Sequence, residues 1–117
     1  MSAADMSKDP AEVLYGTLDL LILTSLDAMG PLHGYGLARR IEQVSQTALR
    51  LSQGSIYPAL VRLEQHGWID TTWGVSETGR KVKIYSLTRE GTARMQVEVD
   101  RWQRTTAMVA RFLDVRS

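Results

Sequence analysis

The chain has 117 residues, of which 44% are hydrophobic and 23% charged, and its formal net charge is +1. These values are typical of one globular domain; they exclude a disordered tail and leave little room for a second domain. Cysteine is absent, which excludes disulfide frameworks and thiolate metal sites and suits the reducing cytoplasm, where we expect the protein.

No membrane association is expected, because the longest apolar run (20–23) is far too short to span a bilayer. The polar, acidic N-terminus does not have the pattern of a secretory signal peptide. Charge is unevenly distributed: residues 1–30 carry −4, residues 31–90 carry +3 and residues 91–117 carry +2. The positive part of the chain is therefore suited to binding phosphates.

The first predicted helix follows a loose N-terminal segment (1–12) and runs from Thr17 to Met29. Its apolar residues recur at helical spacing and predict one buried stripe, made of Leu18, Leu21, Ile22, Leu26 and Met29. Leu20 and Leu23 lie off that stripe. The helix is therefore expected to be buried on two sides, one toward the core and one toward a second subunit.

Two further helices are predicted after the turn that His33-Gly34-Tyr35-Gly36 forms. The second runs over about 35–46, with Leu37, Ile41 and Val44 facing inward. The third runs from about Ser55 to His66, with Ile56, Leu60 and Leu63 spaced as in a packed helix. Pro58 is expected in its first turn, where a missing N–H group costs little.

A β-hairpin is predicted next, with strands over 68–73 and 82–87 and a basic tip between them. Val82 and Ile84 alternate out of step with Tyr85 and Leu87, so either a bulge or a hairpin covered partly on both faces is expected. Thr88 can cap a last helix that continues to about 113. Its apolar seam has alternating spacings of four and three and predicts dimer packing: Met95, Val99, Trp102, Thr106, Val109 and Leu113.

The expected fold is mainly α with a small β-hairpin: a winged helix-turn-helix (13–88) followed by a long C-terminal dimerisation helix (89–117). In this plan the third helix enters the DNA major groove and the wing touches a neighbouring groove or the backbone. Arg62 and Gln65 can donate to base edges, and Arg80, Lys81 and Lys83 can hold phosphates. A solvated helix face and a soluble charged turn are the alternatives.

Enzymatic readings find little support, and we expect no enzyme, no cofactor and no metal site. The segment Gly74 to Gly79 has the glycine spacing of a phosphate loop, but Arg80-Lys81-Val82 follows where Lys and Ser/Thr are required. His33 and His66 lack partners at metal-ligand spacing, and no nucleophile stands beside a base. Trp102 is either an interface packing residue or, with Val99, part of a site for a flat apolar ligand.

Four segments and one tryptophan, taken together, resemble the PadR family of bacterial transcriptional regulators. They are LYGTLDLLIL (14–23), LHGYGLARRI (32–41), LSQGSIYPALVRLEQHGWI (51–69), a wing that begins WG and ends YSLT (73–88), and Trp102, eleven residues after Gly91. The combination is specific, whereas each fragment alone is not. The chain departs from the family in having Gln53 where proline is usual.

The resemblance implies a homodimeric repressor of the short subgroup, which binds a pseudo-palindromic operator in double-stranded DNA. It implies that helices one and four form the dimer, and the residue pattern assigns Leu20, Leu23 and the seam of the last helix to that interface. It also implies that some members hold a small planar aromatic effector at the position of Trp102. The DNA contacts expected from the residues and the resemblance together are Tyr35, Arg39, Gln53, Gly54, Ser55, Tyr57, Pro58, Arg62, Gln65, Arg80, Lys81 and Lys83. A small-molecule sensor, or a winged helix that binds only protein partners, is the alternative function.

Overall fold

The computed structural model describes residues 17–47 and 50–116, apart from the side chains of Gln53 and Arg116. The elements in chain order are α1 (Leu18–Met29), β1 (Leu32–His33), α2 (Gly34–Val44), α3 (Gln53–Gln65), β2 (Ile69–Val75), β3 (Lys81–Leu87) and α4 (Arg89–Arg116). The predicted fold class is confirmed, with β1 as an additional short strand. The predicted loose segment 1–12 lies outside the described residues.

The core lies where α1, α2 and α3 pack together against the sheet and the first turns of α4. Its largest fully buried side chains come from all three helices and from β2: Ile22, Leu23, Leu26, Leu37, Ile56, Leu60, Leu63 and Ile69. Burial of such side chains is the main favourable term in folding, at about 1.5–3 kcal/mol each. The inward face predicted for α3 is therefore confirmed, since Ile56, Leu60 and Leu63 all belong to this cluster.

Two residues predicted at the dimer interface lie instead in the core of the single chain. Leu23 is 1% exposed and Met95 is 4% exposed. The reason is that α4 of the same chain packs on α1 and covers the side that was expected to meet a second subunit. Met29 and Val44, which were expected to face inward, are exposed at the ends of their helices.

The three strands form one antiparallel sheet in the order β1-β3-β2. The register between β2 and β3 runs without interruption from Ile69 opposite Leu87 to Val75 opposite Lys81, so the hairpin has no bulge. The hairpin is instead partly covered on both faces, because Tyr85 is buried on one face while Ile84 is half-buried on the other. Ile84 also fills the space beside Gly74, where a Cβ would lie 2.5 Å from its Cδ1.

Helix α3 begins earlier than predicted, and Pro58 is its sixth residue rather than part of its first turn. The helix starts at Gln53 because the extended Ser52 offers its carbonyl to the N–H groups of Ser55 and Ile56, at 3.0 and 3.1 Å. Pro58 therefore removes one intrahelical hydrogen bond, the one that would end on the carbonyl of Gly54. Both residues are exposed, so water can reach that carbonyl.

The elements α3, β2 and α4 meet closely at Gly67, Trp68, Thr88 and Gly91, which we call the α4 junction. The Thr88 hydroxyl donates to the Gly67 carbonyl (2.7 Å) and accepts from the Gly91 N–H (2.9 Å), which confirms Thr88 as the cap of α4. The Thr88 N–H donates to the Trp68 carbonyl at 3.1 Å. A Cβ on Gly91 would lie 1.9 Å from that carbonyl oxygen, so only glycine fits.

Side chains cover the same junction from outside. The Trp68 indole stacks on the His66 ring, with centroids 4.3 Å apart, and the Arg94 guanidinium lies 5.0 Å from the Trp68 ring centroid. Arg94 in turn forms an ion pair with Glu98 one turn further along α4. These contacts fix the direction in which α4 leaves the domain. No helix within residues 17–47 and 50–116 is long and apolar enough to cross a membrane.

Gly91→Ala is expected to destabilise the protein, because the new methyl group meets backbone that cannot move without shifting α4. We expect a loss of about 1–3 kcal/mol in the free energy of unfolding, measured by urea denaturation. Gly54→Ala is the matched control. It makes the same change in a helix where the new Cβ would make an ordinary contact, 3.7 Å from Ser52 Oγ, and it should leave stability equal or higher. Equal effects of the two substitutions would contradict the packing described for the α4 junction.

Candidate nucleic-acid interface

An open groove of about 1040 Å³ lies between the start of α2, Tyr57 of α3 and the β2–β3 wing. We call it the wing groove. Cations outnumber carboxylates along it, with Arg39, Arg40, Arg80, Lys81 and Lys83 against Glu77. Three aromatic side chains line it as well, namely Tyr35, Tyr57 and Trp73. A basic concave surface with aromatic side chains is suited to a polyanion that also offers sugars or bases.

The start of α2 forms one wall of the wing groove. His33 caps this helix, because its Nδ1 accepts the Gly36 N–H at 3.0 Å. The Tyr35 ring stacks on the His33 ring, with centroids 6.3 Å apart, and the Arg39 guanidinium lies 5.8 Å from the Tyr35 ring centroid. Tyr35 and Arg39 are both exposed, so the two side chains predicted as DNA contacts stand together at the surface.

Tyr57 is the residue through which α3 lines the groove. Gly34 is buried against Tyr57, whose hydroxyl oxygen would lie 3.5 Å from a Cβ at that position. This close approach holds the exposed Tyr57 ring beside the start of α2. The hydroxyls of Ser52 and Ser55 lie 3.3 Å apart at the positive end of the α3 dipole, where phosphate oxygens are favoured. Gln53 begins the helix, and its side chain is outside the described part of the chain.

The wing tip is a turn held by backbone hydrogen bonds. The Ser76 N–H donates to the Arg80 carbonyl (2.8 Å), and the Gly79 N–H donates to the Ser76 carbonyl (2.9 Å). Gly79 has φ +83°, a left-handed conformation that favours glycine. Arg80 and Lys81 are exposed beside this turn, and the Lys81 ammonium lies 5.1 Å from the Trp73 ring centroid. The tip therefore presents its cations in a defined position.

Glu64 connects α3, the helix predicted to enter the major groove, with the wing. Its carboxylate accepts from the Thr71 hydroxyl at 3.0 Å and pairs with the Lys83 ammonium at 3.9 Å. Lys83 thus already has a partner, and it also lines the wing groove. Burial raises the pKa of the neighbouring Tyr85 hydroxyl above its usual 10.0, and the nearby Tyr57 and Glu64 add to the shift. Glu64 therefore joins α3 to the wing at two points.

Arg62, predicted to read a base edge, faces another way. Its guanidinium makes a two-pronged ion pair with Asp19 at the start of α1, with Nε 3.4 Å from Oδ2, and both side chains are about one-third exposed. Arg62 does not line the wing groove. The outward surface of α3 instead carries Pro58, Val61 and Gln65, which are all exposed, so Gln65 is the long donor left on that surface.

The predicted dimer seam on α4 has two parts. Val99 is half-buried against the core of its own chain, whereas every residue from 100 to 115 is exposed. The exposed part of the seam consists of Trp102, Thr106, Val109 and Leu113, and Trp102 is 49% exposed. Leu20 on α1 is half-buried. In residues 17–47 and 50–116, nothing brings Trp102 near the wing groove, and no cluster of His, Asp and Glu could hold a metal ion.

Trp73 and His33 line the wing groove, although the sequence analysis gave neither a role in DNA binding. Trp73 was assigned to a strand without a role, although it shares the parity of Ile69 and Thr71 and so lies on the face that turns toward α3. That parity was the available signal. His33 was read as part of a turn, and a histidine directly before Gly-x-Gly carries no established helix-capping signature.

Comparison with known proteins places this geometry in context. A family model described as the transcriptional regulator PadR-like family matches residues 22–97, which is more than half of the chain. A transcriptional regulator from Clostridium thermocellum superposes with a TM-score of 0.77 at 27% identity, covering 86% of this chain and 97% of that one. A PadR-like transcriptional regulator from Bacillus cereus gives 0.74 at 28% identity, covering 87% and 96%.

Two sequence relatives differ in length. A protein of Lysinibacillus sphaericus is 24% identical over 104 residues, which make up 89% of this chain and 94% of that protein. A 37.1 kDa transposon protein of Streptomyces fradiae is 38% identical over 90 residues, or 77% of this chain, but the match spans only 24% of the longer protein.

Stability at high pH should depend on Tyr85. A raised pKa in the folded state means that the unfolded chain loses this proton first. The contribution of Tyr85 is therefore complete below about pH 10 and is lost as pH rises through the higher folded value. Urea unfolding between pH 9 and 11.5 should show a steeper decline for the wild type than for Tyr85→Phe. Tyr35→Phe, at an exposed position, is the control, and equal slopes for the wild type and Tyr85→Phe would contradict the burial of this hydroxyl.

Proposed function

Because the chain belongs to the PadR-like family of transcriptional regulators, we propose that it binds double-stranded operator DNA as a homodimer and represses transcription in the cytoplasm. The observation that carries the proposal is the wing groove, where five cations and three aromatic side chains flank the start of α3. The regulator needs no catalytic step for this activity, since occupancy of the operator is itself the signal.

The proposed DNA contacts divide by chemistry. Arg39, Arg80 and Lys81 hold backbone phosphates, and the start of α3 adds its dipole and hydroxyls to the same task. Gln65 is the candidate for a base edge, because its amide can pair with adenine. The full proposed set is Tyr35, Arg39, Gln53, Gly54, Ser55, Tyr57, Pro58, Gln65, Arg80, Lys81 and Lys83. Arg62 is left out because it pairs with Asp19 and does not line the wing groove, whereas Lys83 does line it.

The sparse reading surface of α3 has a consequence for specificity. With Pro58 and Val61 outward and a single long amide, direct base readout is limited. We propose that much of the selectivity comes from sequence-dependent DNA shape and from the spacing of two half-sites. In a two-fold dimer this spacing is about one helical turn, or ~34 Å.

The dimer is proposed from the exposed second half of α4. The helix has 28 residues, so it is about 42 Å long at ~1.5 Å per residue. Residues 100–115 are all exposed and include the apolar side chains of Trp102, Val109, Phe112 and Leu113. A helix of this kind needs a covered apolar face to be stable in water, and a second α4 with its α1 supplies one.

Charge removal at the wing tip should weaken binding to every DNA sequence. Arg80→Ala with Lys81→Ala removes about two phosphate contacts per protomer, so log affinity should fall less steeply with log salt, by about 0.9 per lost contact. Fluorescence anisotropy over a range of salt concentrations measures the slope. Glu77→Gln is the control, since it keeps both cations. A wild-type affinity that does not change with salt would rule out the proposed function.

A second proposed activity is effector binding at Trp102. The half-exposed indole lies beside Val99 on the face of α4 that is proposed to meet a second copy, where two indoles approach a two-fold axis. A small planar aromatic compound held there would change the separation of the reading helices and release the operator.

Quenching of tryptophan fluorescence by acridine orange tests this activity. Wild-type quenching should saturate, Trp73→Phe should behave like the wild type, and Trp102→Ala should lose the saturable component while remaining dimeric on size-exclusion chromatography. Unchanged saturable quenching in Trp102→Ala would rule out a site at this residue.

A further inference from the structure

Trp73 is a large apolar side chain at the far end of β2, it is 63% exposed, and none of the DNA contacts proposed above uses it. We propose that Trp73 is itself a DNA contact, which packs its indole against the sugars lining the minor groove beside each half-site. This inference rests on the proposed function and assigns a specificity-determining residue to the wing.

The position of Trp73 follows from strand register. It lies opposite Lys83 on β3 and shares a sheet face with Thr71 and Ile69. Ile69 is in the core, but the core ends before the wing tip, so the same face emerges from the domain and becomes a wall of the wing groove. Trp73 therefore faces the space that the DNA backbone occupies when α3 enters the major groove.

The indole is held in place before any DNA arrives. Thr71 and Lys83, its neighbours along and across the hairpin, are both tied to Glu64 on α3. Lys81 covers part of the ring from one side, at 5.1 Å from the ring centroid. On the opposite face of the sheet, Ile84 packs beside Gly74 and leaves no room for a side chain there. A preordered contact of this kind loses little conformational entropy on binding.

Charge favours DNA over a protein partner at this surface. The Lys81 ammonium lies over the indole, and five cations and one carboxylate line the wing groove. A dry protein interface over Trp73 would have to desolvate these cations, at considerable cost. A nucleic-acid backbone offers phosphates to the cations and apolar sugar surface to the ring. An apolar contact of this type senses the width and deformability of the minor groove rather than individual base edges.

The test uses the duplex that the wild-type protein enriches from a random pool. Trp73→Ala should bind it about fivefold or more weakly, whereas Trp73→Phe, which keeps an aromatic ring, should stay within about twofold of the wild type. The salt dependence of Trp73→Ala should equal that of the wild type, because no phosphate contact is removed. A collapsed wing would instead lower the salt dependence, and that result would overturn the direct role.

A second measurement reports on Trp73 itself. In a Trp102→Phe background, addition of the enriched duplex should protect part of the tryptophan emission from acrylamide quenching. The same experiment with Trp102→Phe and Trp73→Phe combined leaves only Trp68 and should show no such protection. Full affinity in Trp73→Ala, or equal protection in both backgrounds, overturns the inference while leaving the proposed function intact. Failure of the wild type to enrich any duplex defeats both.

Discussion

The seating of α4 on the carbonyl of Trp68 is the constraint on which the rest of the structure depends. Thr88 donates to Gly67 and accepts from Gly91, and the missing side chain at Gly91 lets the helix approach backbone that a methyl group would clash with. The reading helix ends, the wing begins and the long helix departs at this one place. The geometry of this junction therefore sets the orientation of α4 relative to α3.

Three polar contacts complete the rigid body around that junction. Arg62 with Asp19 joins α3 to α1, Glu64 joins α3 to the wing, and Arg94 lies over Trp68 at the base of α4. Each pair is partly exposed and contributes only about 0–1 kcal/mol to stability. Stability comes from the buried apolar cluster, and these contacts choose the relative orientation of the elements. Orientation is what a dimeric DNA reader requires, because two reading helices have to meet two half-sites at once.

The secondary-structure elements could be predicted from the sequence, whereas the contacts between distant elements could not. Periodicity correctly located four helices and the hairpin, since the helical stripe of Ile56, Leu60 and Leu63 and the capping hydroxyl of Thr88 are local features. Periodicity also showed that α1 is apolar on two sides. It could not show that α4 of the same chain covers the second side, which is why Leu23 and Met95 were expected at a subunit interface.

The candidate site was predictable to a similar degree. The basic wing tip and Tyr35 line one groove, because their positions follow from the order of elements, and their contact with DNA stays a prediction. The partner of Arg62 lies 43 residues away in the chain, and no spacing rule connects the two. Trp73 needed both its strand parity and the point at which the core ends, and only the first can be read from sequence.

The central claim is that a rigid path from α3 through the α4 junction to the dimer fixes the separation of the two reading helices. The most direct measurement is the affinity for enriched operators whose half-sites are moved apart. An insertion of about half a helical turn (~5 bp) between the half-sites rotates one of them to the opposite side of the duplex. The account predicts that binding falls to the level of unrelated DNA and recovers in part with a full-turn insertion. Unchanged affinity after the half-turn insertion would contradict it.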